Sequence, residues 1–211
     1  MIIAIDGPAG SGKGTLARGL ADALNYAHLD TGKLYRCVGL AVLSSGKDPE
    51  DVEAALQEAK NIDLQDIDNI DIMGDVAAVA ASKVARFQKV RDELLKLQKD
   101  FANSPPGGCQ GAVIDGRDIG TVVCANADFK FFITASAEVR AERRHKELLA
   151  RGEPSIYARV LDDMLARDES DKTRSIAPLR PASDAKVIDT SELDADTVLA
   201  TCLLYTSPSP R

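Results

Sequence analysis

The chain of 211 residues contains no tryptophan, 4% aromatic residues and only two histidines. Its four cysteines, Cys37, Cys109, Cys124 and Cys202, are scattered, with no C-x-x-C pair. A zinc site needs clustered Cys and His, and a disulfide framework needs regular cysteine spacing. Neither is expected, and a reducing, cytoplasmic setting fits better. No apolar stretch approaches the ~20 residues of a membrane-spanning helix. The N-terminus lacks the basic, cleavable pattern of a leader and reads as a structural strand. Positive charge is in deficit as well: 26 Lys and Arg against 33 Asp and Glu leave a net charge of −7. With a pI of about 4.9, the chain is no general binder of nucleic acid or acidic membranes, and any basic site must be local.

What is present starts almost at the first residue. A bare apolar run, Met1 to Ile5 followed by Asp6, leads into Gly7-Pro8-Ala9-Gly10-Ser11-Gly12-Lys13-Gly14-Thr15. The spacing G-x-x-x-x-G-K is met by Gly7, Gly12 and Lys13, and it describes a loop that folds around an anion. The glycines permit the tight turn, Lys13 supplies charge, and the helix that follows points its free N–H groups at the guest. Gly14 stands where the motif usually has a hydroxyl, which moves the hydroxyl to Thr15, the candidate for magnesium. Leu16, Leu20, Ala23 and Leu24 recur at helical spacing behind the loop, and Asn25 is a suitable C-terminal stop.

With 45% apolar residues the chain can build one substantial core. Short apolar runs at 2–5, 27–29, 112–114, 129–133 and 186–188 alternate with helical patterns. The helical stretches fall at 14–24, 33–44, 49–60, 75–86, 88–102, 136–151, 154–167 and 194–203. Such alternation implies an α/β fold with a parallel five-stranded sheet covered on both faces, its ligand at the carboxyl ends of the strands. Asp6, Asp30 and Asp115 fall at such ends and are candidate site residues, whereas Asp189 reads as a local cap. Two helical hairpins, 33–60 and 75–103, are inserted between the second and third strands as a candidate acceptor-binding subdomain, and Ser104 to Gly108 is the linker back to the sheet.

Two further motifs narrow the chemistry. In Ala112 to Thr121 a buried strand ends at Asp115, able to hold magnesium through water, and Gly116 lets Arg117 and Asp118 project. Arginine suits phosphate through its permanently charged, bidentate fork. In Arg167-Asp168-Glu169-Ser170-Asp171-Lys172-Thr173-Arg174, the spacing i, i+4, i+7 lets Arg167, Asp171 and Arg174 face one way. A guanine-reading Asn-Lys-x-Asp is missing, which argues against a GTPase, and a larger ATPase needs more chain. His28 and His145 read as structural or surface residues.

Taken together, these motifs resemble the bacterial cytidylate (CMP/dCMP) kinase family of P-loop nucleoside monophosphate kinases. The opening Ile-Asp-Gly-Pro-Ala-Gly-Ser-Gly-Lys-Gly-Thr carries the likeness, as do Leu29-Asp30-Thr31-Gly32 with Tyr35-Arg36. Further matches are Ala81-Ser82-Lys83-Val84-Ala85 with Val90-Arg91, Asp115 to Thr121, and Arg-Asp-x-x-Asp-x-x-Arg before Ala177-Pro178-Leu179. The resemblance implies a P-loop NTPase-type kinase domain over 1–204. Its core would be 1–32, 109–151 and 179–204, with a helical NMP-binding arm at 33–108 and a lid at about 152–178. Residues 205–211 would be a disordered tail.

It also implies phosphoryl transfer from ATP, with Mg2+, to CMP or dCMP. Gly7 to Thr15 would hold the ATP phosphates, with Lys13 catalytic and Thr15 near the metal. Arg36, Arg117 and Arg174 would clamp the CMP phosphate and neutralise the γ-phosphoryl as it transfers, with Arg117 and Arg174 counted as catalytic. Ser82, Arg91 and Asp118 would read the cytosine edge. Thr31, Arg167 and Asp171 would contact the ribose side, with Tyr35 packing near the sugar or core. A CMP phosphate oxygen is already anionic near neutral pH, so no general base is required and an arginine-rich, histidine-poor site suffices. The partners expected are these small molecules alone, with no nucleic acid or membrane, and a monomer is the default. The chain departs from the family at 61–75, which is short and lacks an arginine near Met73, and in its last ten residues. Rival readings are another small P-loop kinase, acting on UMP, AMP or a non-nucleotide acceptor, and a non-catalytic nucleotide-binding switch.

Overall fold

The computed structural model describes residues 1–64, 67 and 74–206. Met73, most of the short 61–75 stretch and residues 207–211 lie outside the described residues. The strands are β1 (Ile2–Asp6), β2 (Ala27–Asp30), β3 (Ala112–Gly116), β4 (Phe129–Thr134) and β5 (Lys186–Asp189). The helices are α1 (Lys13–Leu24), α2 (Thr31–Ser44), α3 (Val52–Lys60), α4 (Asp75–Val84), α5 (Gln88–Asn103), α6 (Ala137–Ala150), α7 (Tyr157–Thr173) and α8 (Ala195–Thr206).

The sheet order is β2-β3-β1-β4-β5. β1 runs parallel to β3, with Ile3 opposite Val113, and parallel to β4, with Ile5 opposite Phe131. β4 runs parallel to β5. A strand with neighbours on both sides and helices on both faces has no wet side, which is why β1 reads as an unbroken apolar run. Ile3, Ala4 and Ile5 are all fully buried. α1 turns Leu16, Ala17, Leu20 and Ala21 onto this sheet, where they join Val113, Phe131, Ile133, Ile188, Val198 and Cys202 in one core. Each large apolar side chain buried there contributes about 1.5–3 kcal/mol relative to exposure.

The chain divides into two compact units, Met1–His28 with Pro105–Arg211, and Leu29–Ser104. In the second unit α2 packs on α4 and α3 on α5. The α2–α4 contact is close because its side chains are small. A Cβ on Gly39 would lie 2.7 Å from the Cβ of Ala80, so the position accepts only glycine at this helix separation. Asp51 caps α3, accepting the backbone N–H groups of Glu53 and Ala54 at 3.0 and 3.1 Å.

Three boundaries differ from the sequence expectations in ways that bear on the site. α2 starts at Thr31, directly off β2. α7 continues through Thr173 rather than ending at 167, so the charged run 167–173 is the end of a helix. Residues Ile119–Val123 form a π-helical turn. The last apolar residues of α7 fall before 167, while the polar turn that follows keeps its backbone bonding, the Arg174 N–H reaching the Ser170 carbonyl.

Candidate functional site

β1 ends and the phosphate loop starts at one point. A Cβ on Gly7 would sit 2.1 Å from the backbone oxygen of Ile133 on β4, so the chain passes there only without a side chain. Gly10 and Gly12 hold φ of 74° and 88°, left-handed values that let the loop turn back into α1. Gly12 is the N-cap of that helix, which places the helix N-terminus at the loop, where backbone N–H groups and the helix dipole favour an anion. Lys13 Nζ donates to the carbonyl of Pro8 at 3.3 Å, across the arch of the loop. Ser11 is fully buried, and its hydroxyl has no hydrogen-bond partner.

A cavity of about 290 Å3 opens beside the loop, lined by Ser11, Gly12, Thr15, Arg143, Thr190 and Asp194, among others. Arg143 reaches it from α6, donating to the hydroxyl and the carbonyl of Thr190 at 3.0 and 2.6 Å. The Thr190 hydroxyl in turn donates to the Ser11 carbonyl at 3.0 Å. Arg143 and Thr190 had no motif to announce them. Asp189, just before, does act as a local cap, accepting from the N–H and hydroxyl of Ser191.

Asp115 at the end of β3 is 2% exposed. His28 Nε2–H donates to its Oδ1 at 2.8 Å, and its Oδ2 lies 4.0 Å from where a Cβ on Gly14 would be. His28, read from sequence as structural or surface, is thus attached to a candidate site carboxylate. His145 by contrast bonds Ser155 at 2.7 Å.

Beyond Asp115 the arginine and acid residues of the second and third motifs meet. Arg117 Nε donates to Asp171 Oδ2 at 2.9 Å, and Arg174 Nη2 lies 3.9 Å from Asp118 Oδ1. Burial pushes the Asp171 carboxyl up, but the charge and hydrogen bond of Arg117, with the charges of Arg167 and Arg174, outweigh it and hold the group below the usual carboxylate value. The expected i, i+4, i+7 face is built differently. Arg167 and Asp171 lie on α7, while Arg174 is its C-cap with φ −58° and ψ 138°. Its Nε donates to the carbonyl of Ala177, a residue held at the left-handed φ of 47°. A non-glycine residue there costs on the order of 1–2 kcal/mol and persists only where its surroundings over-determine it.

Asp6, a candidate site residue from its place at a strand end, makes a contact that no sequence motif announces. Its oxygens accept the N–H of Ile119 at 2.7 Å and of Gly120 at 2.8 Å, fixing the π-helical turn directly after Arg117 and Asp118. Burial raises its pKa to about 6 from 3.8, against the lowering effect of those two N–H groups, with the nearby Asp118 charge adding to the rise. The folded state therefore holds this proton more tightly than the unfolded chain. The stabilisation is complete below pH 3.8 and is lost as pH rises through about 6. We expect wild-type stability, measured against Asp6→Asn by denaturant titration, to fall by on the order of 3 kcal/mol across that window. A difference that does not vary between pH 4 and 7 would show that Asp6 does not titrate there.

In the second unit, Thr31 is buried at the start of α2 and Arg36 half-buried one turn on. Ser82 Oγ donates to the Ala78 carbonyl at 3.0 Å along α4. Arg91 is 7% exposed, with its guanidinium 6.0 Å from the Tyr35 ring centroid. Among the described residues no helix is long and apolar enough to cross a membrane.

A family model described as cytidylate kinase matches residues 3–207. The cytidylate kinase of Paramagnetospirillum magneticum is 55% identical over 202 residues, covering 96% of this chain and 95% of that protein. That of Rhodospirillum rubrum is 53% identical over 203 residues, covering 96% and 95%. Among solved structures, an uncharacterized protein from Eubacterium ventriosum has a TM-score of 0.56 at 16% identity, covering 97% of each chain. A sugar kinase from a Janibacter species has a TM-score of 0.51 at 15% identity, covering 99% of this chain and 95% of that one. At such identities these two structures speak to the shared fold alone.

Proposed function

Because this chain belongs to the cytidylate kinase family, we propose that it transfers a phosphoryl group from ATP to CMP and dCMP. The observation that carries this reading is the Arg117–Asp171 bond at 2.9 Å, with Arg167 and Arg174 close enough for their charges to act on the same carboxylate, in the same unit as the phosphate loop. A switch that only binds nucleotide has no use for such a cluster.

In this reading the amides of Gly7 to Thr15 and Lys13 hold the ATP phosphates, and the cavity lined by Arg143, Thr190 and Asp194 takes the donor nucleoside. Arg36, Arg117 and Arg174 bind the CMP phosphate. Ser82, Arg91 and Asp118 read the base, and Thr31, Arg167 and Asp171 face the sugar. The arm is 33–108 and the lid about 152–178, and the enzyme works as a cytoplasmic monomer.

The residues present fit Mg2+. Asp115 is a buried carboxylate directed at Gly14, and the hydroxyl-bearing Thr15 beside it is exposed. Mg2+ keeps several waters and takes few protein oxygens, so it needs no cluster of three acidic ligands. Thr15 would hold it directly and Asp115 through water, with His28 orienting that carboxylate. Bound there, it would neutralise phosphate charge. The protein does the rest by alignment: permanently charged guanidinium groups fixed by carboxylates cost no reorganisation when charge develops between the reactants.

An assay coupling ADP release to a signal, with CMP, dCMP, UMP and AMP offered separately, tests the proposal. CMP and dCMP should each accelerate ADP release well beyond UMP and AMP. Release that ignores the acceptor would make the protein a plain ATPase.

A further inference from the structure

Arg140 on α6 carries no role in any motif, yet it is 3% exposed and engages four polar atoms. Its Nε donates to the Ala135 carbonyl at 2.9 Å. Its Nη1 donates to the carbonyl of Ala9 in the phosphate loop at 3.2 Å and to Asp168 Oδ1 at 3.0 Å, and its Nη2 donates to Asp168 Oδ2. Asp168, on α7, is itself 7% exposed. The loop is packed against this pair as well as bonded to it. A Cβ on Gly10 would lie 2.9 Å from Met164 Cε on α7 and 3.1 Å from Arg140 Cβ.

From Asp168 the path continues along one helical turn to Asp171, which accepts from Arg117 at 2.9 Å. The donor loop and a phosphate-binding arginine are thus joined by two charge-assisted pairs, the buried Arg140–Asp168 and the half-buried Arg117–Asp171, linked through one turn of α7. A bidentate guanidinium–carboxylate pair fixes orientation as well as distance.

We infer that Arg140 and Asp168 are positioning residues for phosphoryl transfer, holding the phosphate loop in register with α7 and so with Arg117. The inference rests on the functional reading above. Neither residue touches substrate in this scheme. They act through Ala9 on one side and Asp171 on the other, and a misplacement of about 1 Å at such a site costs on the order of 10² in rate.

The pair also holds the fold, so the test must separate the two roles. Replacing both partners of a buried ion pair by apolar residues of similar volume is often neutral for stability. The double variant Arg140→Met with Asp168→Leu should stay folded, its thermal midpoint lowered only through the Ala135 and Ala9 carbonyls left without their donor, while kcat with CMP falls on the order of 10². Its affinity for a fluorescent ATP analogue, measured without acceptor, should fall about tenfold through the displaced loop. Asp168→Asn keeps the shape with one acceptor oxygen fewer, and should lose about tenfold in kcat even if the double variant fails to fold. Wild-type kcat and analogue affinity in folded Asp168→Asn would overturn the inference, as would losses no larger than the unfolded fraction. The analogue titration needs no acceptor, so it decides the point even if the wild-type protein shows no CMP-dependent turnover, a result that would sink only the functional reading.

Discussion

Arg174→Ala should lower kcat with CMP by on the order of 10²–10³ while leaving the fold intact. In the role proposed for Arg174, the size follows from losing one preorganised donor at a developing negative charge, an effect of about 3–4 kcal/mol when water is excluded. The sparing of the fold follows from where the residue sits. Arg174 is past the last turn of α7, and the helix end is satisfied by its backbone N–H on the Ser170 carbonyl, a bond alanine keeps. Its side chain sits 3.9 Å from Asp118 Oδ1, an ion pair too long to bear much of the stability. Loss of its bond to the Ala177 carbonyl removes one tether of the strained turn, so CMP affinity should weaken with rate. Steady-state kinetics at saturating ATP, paired with a thermal melt, measures both. Turnover near that of the wild type would remove Arg174 from the site.

The largest structural effect belongs to Gly7→Ala. The added methyl would come within 2.1 Å of the Ile133 backbone oxygen and 3.1 Å of Ser11 Oγ. Backbone oxygen in the middle of a sheet has no rotamer by which to move aside, so β1 and β4 must separate where the phosphate loop departs. We expect a loss of about 3 kcal/mol or more in stability, together with loss of ATP binding. Gly12→Ala gives the contrast. A Cβ there meets nothing within 4 Å, and the cost is the left-handed φ alone, about 1–2 kcal/mol. Chemical denaturation of the two variants ranks them, and a Gly7→Ala midpoint equal to the wild type would refute the packing argument.

Local pattern was readable along most of the chain. The strands were legible because β1 and the start of β3 lie inside the sheet and read as apolar runs, as β4 does apart from Lys130, and the helices because apolar residues recur at a period near 3.6. The phosphate loop was legible because its chemistry is contiguous. The sequence could not show which distant residues would bond. Asp6 finds Ile119 and Gly120, His28 finds Asp115, and Arg140 finds Asp168. Each is a pairing of ordinary residues far apart in the chain, with no periodicity to betray it. The π-helical turn at Ile119–Val123 escaped for a related reason. It is held by an acid more than a hundred residues away, not by a local turn signal.

The placing of β1 also governs the order in which the chain can be made. Its sheet partners are residues 112–116 and 129–132, so the strand is made before anything it can pair with. At about 5–20 residues per second, a ribosome needs roughly six to twenty-five seconds to deliver them all. Over that interval β1 must be shielded by helix α1 or by a chaperone, and the sheet closes only once β3 and β4 have been made.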